Sequence, residues 1–207
     1  MKKMIFFKFF VPILSLLLLV SCQEKGSIVD ATSTQKPEKL YDSKSLPANH
    51  VVFEFRNDTM QRDFTFPLNV VADKDFYKNN PVQRGDIVLV ELPEDMAKQN
   101  KNVPEESLHI ERKQLLRVVG LPGETIDIRK GQVFINDRKL DTFYGREYTG
   151  GVQAEGNEAF SMPKPVVVPT KQYFLLADQW SRSAYSSIRT STYDESVIQG
   201  KVVGYMR

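Results

Sequence analysis

The feature that most constrains this chain is a series of short runs rich in β-branched and aromatic residues, with no amphipathic helical stretches between them. These runs occupy residues 51–55, 87–90, 115–119, 126–128, 133–135, 166–168, 173–176 and 202–205. Arg129-Lys130-Gly131 and Asn136-Asp137-Arg138 punctuate two of them as hairpin-type turns. Parallel strands need long crossover connections, usually helices, and none is visible. An antiparallel, mainly-β architecture is therefore predicted. Residues 94–106 are charged and read as a loop with a helical turn. Residues 144–165 carry Gly150-Gly151, Gly156 and two prolines, Pro163 and Pro165, and read as a loop or small insertion.

A chain of 207 residues has room for one domain of moderate size, and a hydrophobic fraction of 41% is enough to build a core. Its 28 basic and 26 acidic residues nearly cancel. No strong field points to nucleic acid, so no nucleic-acid partner is expected. His50 and His109 are separated and neither sits in a ligand-like cluster, so no metal site is expected. Nor does a Gly-rich phosphate loop follow any strand, and no cofactor is expected.

The N-terminus behaves differently. Lys2 and Lys3 form a basic head, residues 9–20 are almost wholly apolar, and Leu19-Val20-Ser21-Cys22 closes the stretch. A bilayer-spanning helix wants about 20 apolar residues, and Lys8 and Pro12 interrupt this run. It reads as an export signal, residues 1–22, ending in a lipobox whose Cys22 takes a diacylglyceryl thioether. Cys22 is the only cysteine, at the one position where that chemistry needs it. Residues 23–50 are polar and read as a flexible tether that holds a folded domain, 51–207, off the bilayer.

Three segments, in order, carry a family likeness: Arg84-Gly85-Asp86-Ile87-Val88-Leu89-Val90; Leu116-Arg117-Val118-Val119-Gly120-Leu121-Pro122-Gly123-Glu124; and Tyr173-Phe174-Leu175-Leu176-Ala177-Asp178, with Gly200-Lys201-Val202-Val203-Gly204 near the end. Together they resemble the type I signal peptidases. The resemblance implies a signal peptidase-like antiparallel β fold with a small insertion. It also implies a site in which a serine is the nucleophile and a buried lysine is its general base. Burial disfavours the ammonium and can lower a lysine pKa by up to ~3–5 units, which leaves an amine able to take the serine proton.

This chain departs from that pattern. The base position holds Leu116, which cannot accept a proton. Lys113 is three residues away, and on a strand that spacing puts it on the opposite face. The nucleophile position falls on Thr59, in Asn57-Asp58-Thr59-Met60, without the family's Pro-Thr-Leu continuation. Asp58-Thr59 also reads as a turn whose hydroxyl bonds its own backbone. Ser161-Met162-Pro163 looks like the nucleophile motif but comes after the second segment, out of family order, and reads as loop. In the last motif Asp178, Ser183 and Ser186 are kept, whereas its glycine, arginines and second aspartate are lost.

The resulting expectation is a lipid-anchored, catalytically inactive homologue at the extracytoplasmic face of a bacterial membrane. It would hold an extended peptide, a pre-protein or an active signal peptidase. One rival is an active peptidase using Thr59 with Lys113, Lys74 or another amine. The other is an unrelated β-rich envelope lipoprotein, which would place the RGDIV and RVVG strands far apart.

Overall fold

The computed structural model describes residues 26–62, 65–98, 112–149, 152–153 and 158–207. Cys22, His109 and the second half of the charged 94–106 stretch lie outside these residues.

The large sheet has seven strands: β1 (His50–Glu54), β2 (Asn69–Asp73), β13 (Ile198–Met206), β3 (Ile87–Glu91), β4 (Lys113–Gly120), β11 (Gln172–Leu176) and β12 (Tyr193–Asp194), in that spatial order. Every neighbouring pair in it is antiparallel. A four-stranded sheet runs β10 (Val166–Val167), β5 (Thr125–Arg129), β6 (Gln132–Ile135), β7 (Arg138–Lys139). A short hairpin pairs β8 (Tyr148–Thr149) with β9 (Val152–Gln153). Single helical turns stand at α1 (Phe76–Asn79), α2 (Glu94–Lys98) and α3 (Ser187–Thr190). The mainly-β, antiparallel expectation is met, and each of the expected strand runs lies on a strand.

The turns form for a local reason. Lys130 and Gly131 join β5 to β6 at φ of 50° and 78°, and Asn136 and Asp137 join β6 to β7 at 51° and 62°. Two consecutive left-handed residues make the turn whose twist matches two right-twisted strands. Side-chain alternation then builds two cores. Val118 and Leu175 face one, with Val88, Leu116 and Met60; Val119, Phe174 and Leu176 face the other, with Ile126, Ile128 and Trp180. Thus β4 and β11 are covered on both faces, which explains why every β4 residue after Lys113 is buried. Residues 144–165, expected as a loop, begin with buried anchors: Tyr144 is 1% exposed and Glu147 is fully buried.

Residues 26–49 are not a free tether. Ile28 bridges Leu140 in parallel, its N–H donating to Lys139 (2.7 Å) and its carbonyl accepting from Asp141 (2.8 Å). Arg138 donates to the Gly26 and Ser27 carbonyls at 2.9 and 3.1 Å. At the other end Tyr41 and Lys39 exchange backbone bonds with Tyr205 at 2.9 Å. Asp30 accepts from Tyr144 Oη (2.7 Å), the Thr32 amide (2.9 Å) and the Ser33 hydroxyl. This strap lies on the Arg84-Gly85-Asp86 turn. Gly85 has φ +88°, and a β-carbon there would overlap the Ser33 side chain. The polar composition suggested disorder; the backbone groups found partners on the domain instead.

Gly85→Ala is expected to lower the unfolding free energy by about 1–3 kcal/mol in urea titration, from the backbone and the clash together. Adding Ser33→Gly should recover part of that loss. Partial burial raises the Asp30 pKa, but the bonds from Ser33, Tyr144 and Thr32 outweigh it and hold the group well below the usual carboxylate range. Its stabilisation is therefore full above about pH 4 and is lost as pH falls below that. Asp30→Asn should flatten that part of the acid-unfolding curve.

Candidate functional site

The three motif segments meet in space, and ion pairs join them. Arg84 pairs with Glu124 in a two-pronged contact, Nη2–Oε1 at 2.5 Å and Nη1–Oε2 at 3.0 Å. Glu124 also accepts the Leu121 amide at 2.7 Å, which closes the turn at Pro122 and Gly123. Asp86 takes Lys201 Nζ at 2.6 Å on one oxygen, and Tyr77 Oη and the Gln83 amide, each at 3.0 Å, on the other. Desolvation, then the charge and hydrogen bond of Asp86, push the Tyr77 phenol well up, so it stays a donor. On β4, Gly120 faces Phe174 of β11.

The deepest pair is Arg117–Asp178. Both side chains are 1% exposed, and Nε and Nη2 each meet a carboxylate oxygen at 2.7 Å. Nη1 donates on to Gly85 (2.8 Å) and Thr34 (3.1 Å) carbonyls. The guanidinium lies over Phe143 and Tyr144, 4.8 and 5.3 Å from their ring centres. A second arginine, Arg62, reaches the carbonyls of Arg146 (2.8 Å) and Asp178 (3.0 Å). Desolvation lowers its pKa, against the attraction of Asp178. Sequence reasoning missed Arg62 and the fully buried Glu147, whose oxygens accept the Trp180 and Ser181 amides at 2.9 and 3.0 Å.

Thr59 sits on the turn after β1, 7% exposed. Its Oγ1 donates to Asn57 Oδ1 at 2.8 Å, and its amide points to the same oxygen at 3.1 Å. The hydroxyl was expected to bond backbone; its partner is a side chain, and the turn is an Asx turn. Gln179 locks the turn from outside, its amide donating to the Thr59 carbonyl at 2.8 Å and its side chain to the carbonyls of Asp58 and Gln61. Among the described residues, no lysine nitrogen bonds Thr59.

Leu116 is 1% exposed and belongs to the same core cluster as Met60, the neighbour of Thr59. β4 pairs with β3 in unbroken register from Ile87↔Arg117 to Glu91↔Lys113. The parity argument therefore holds: Lys113 and Leu116 point to opposite faces, and Lys113 is exposed. Of the last motif, Ser186 Oγ accepts the Ala177 amide (3.0 Å) and Ser183 Oγ the Tyr185 amide (3.2 Å). Both hydroxyls serve backbone. Ser161 lies in a loop and accepts the Lys130 amide of the β5–β6 turn at 2.9 Å.

Comparison with known proteins gives this arrangement its family. The sequence model of the signal peptidase family, peptidase S26, matches residues 48–206. The chain belongs to that family. Signal peptidase I of Leptolyngbya laminosa is 29% identical over 114 residues, covering 55% of this chain and 48% of the relative. That of Bacillus licheniformis is 29% identical over 118 residues, 57% and 55% of the two chains. Signal peptidase I U of Bacillus subtilis reaches 36% over 62 residues, 30% and 33% of the two. The chain thus spans about half the length of the first two relatives. A crystal structure of an Enterococcus faecalis signal peptidase I aligns at TM-score 0.39 and 24% identity, over 59% of this chain and 97% of that one. Within the signal peptidase family reading, RGDIV and RVVG lie on adjacent strands, β3 and β4, so the unrelated-lipoprotein rival falls away.

Asp178→Ala, which strands a buried guanidinium, should cost about 3–5 kcal/mol of stability in urea titration. Arg117→Met combined with Asp178→Leu should cost less than the single change, because no charge is left uncompensated.

Proposed function

We propose that the protein is a catalytically inactive member of the signal peptidase family. On this reading, lipid on Cys22 anchors it at the extracytoplasmic face of a bacterial membrane, and its groove holds an extended peptide without cutting it. The observation that carries the proposal is the pair Leu116 and Thr59. Proton abstraction needs an amine or other base within about 3.2 Å of the hydroxyl. Here an aliphatic side chain fills the base position, and the hydroxyl spends its proton on Asn57 Oδ1. Losing a base or nucleophile leaves at most ~10³–10⁴-fold of rate over water.

The peptide-holding part of the proposal is supported by strand geometry. β1 is the terminal strand of the large sheet. The Phe55 amide bonds the carbonyl of Leu68, just before β2, so alternation turns the backbone groups of Val52 and Glu54 outward. An extended segment can add to such an edge by main-chain hydrogen bonds.

The test is cleavage of an exported precursor by the full-length chain in detergent. No cleavage above that of Thr59→Ala is expected. Activity abolished by Thr59→Ala would overturn the proposal. Leu116→Lys with Thr59→Ser should restore measurable cleavage, since a lysine buried at that position is the desolvated amine the chemistry requires.

A further inference from the structure

Between β1 and the paired ends of β3 and β4 the large sheet leaves a cavity of about 270 Å³. Its walls are Val51, Phe53 and Leu89, and it opens beside β1, the terminal strand among the described residues. Lys74, one residue past β2, and Lys113, at the start of β4, line its rim together with Glu91.

The charges at that rim do not balance. Glu91 is already engaged by Arg112, Nη2–Oε1 at 3.2 Å. Lys74 and Lys113 are both exposed, and neither ammonium has an ion-pair or hydrogen-bond partner among the described residues. Some other surface lysines do find carboxylates: Lys78 meets Asp75 at 2.8 Å, Lys98 meets Glu94 at 2.5 Å and Lys130 meets Glu158 at 2.9 Å. Two cations without a partner among the described residues, one just past β2 and one at the start of β4, therefore flank one apolar slot in a protein whose net charge is only +2.

We infer that this cavity, on the Lys113 face of the sheet and not the Leu116 face, selects an extended peptide segment carrying aspartate or glutamate side chains. Its backbone adds to the β1 edge, an apolar side chain enters between Phe53 and Leu89, and its carboxylates meet Lys74 and Lys113. This rests on the peptide-holding reading above and gives it a substrate class. Both lysines are solvated, so the ion pairs contribute modestly and act mainly as a filter, through attraction of acidic segments and repulsion of basic ones. The interaction is also screened as ionic strength rises.

The experiment is fluorescence polarisation with three end-capped, apolar-alternating decapeptides, differing only in two residues that are both Glu, both Gln or both Lys. Full-length protein in detergent binds the Glu peptide on the order of tenfold more tightly than the Gln peptide, and the Lys peptide weakest of all. Lys74→Glu with Lys113→Glu inverts that order. These are exposed positions, and unchanged circular dichroism and thermal midpoint will confirm that the fold is kept. Equal binding of all three peptides, unmoved by the charge reversal, overturns the acidic selectivity while leaving the peptide-holding reading standing. Binding of none of them overturns both.

Discussion

A single buried ion pair organises this protein. Arg117 comes from the middle of β4 and Asp178 from two residues past the end of β11, and at 1% exposure neither can be satisfied by water. Removing both charges from solvent costs several kcal/mol per ion. That cost is offset only because every prong of the guanidinium is used: two on the carboxylate, and the rest on carbonyls of the Gly85 turn and of the strap. Geometry of this strictness fixes where the RGD turn, the two central strands and the N-terminal segment sit relative to one another. The neighbouring pairs, Arg84–Glu124 and Asp86–Lys201, repeat the logic nearer the surface.

Against that frame the altered positions form a consistent set. Leu116 directly precedes Arg117, so the same strand that presents a perfectly satisfied charge presents an aliphatic side chain to the first core. Met60, Val88 and Tyr185 share that core cluster. The resemblance sets Tyr185 and Trp180 against an aspartate and an arginine of the family motif; both are buried among apolar neighbours or bonded through backbone. The region has been filled as a core, with hydroxyls of Ser183 and Ser186 retained as backbone acceptors. On the inactive-homologue proposal, a stable interior and an absent proton acceptor would be two descriptions of one set of substitutions.

Much of the sheet architecture was legible because β-branched runs and two-residue turns are local signals. β2 was not, since Asn69-Val70-Val71-Ala72-Asp73 is short and bounded by polar residues; its identity comes from being flanked by β1 and β13. The family motifs singled out Arg84, Asp86, Arg117 and Asp178, but not who pairs with whom, because those contacts span long separations in sequence. In the sequence Asn57 stands only as part of the Thr59 segment, and Gln179 and Arg62 are not singled out. Their roles depend on reaching Thr59, the 58–61 turn and the Asp178 carbonyl in three dimensions. The strap was misread for a related reason. Its Ser, Thr and Lys content says only that it has little apolar surface to bury, whereas what holds it is main-chain pairing and one carboxylate, Asp30.

That docking changes the reach of any lipid attached at Cys22. A loose chain over residues 23–50 could in principle span about 100 Å when fully drawn out. With Gly26 and Ser27 held by Arg138 and Ile28 zipped to β7, the slack between Cys22 and the body shrinks to about 14 Å. A lipid-borne molecule of this design would ride low, with the β6–β7 hairpin nearest the headgroups. Partners would have to approach it within the crowded layer just above the bilayer.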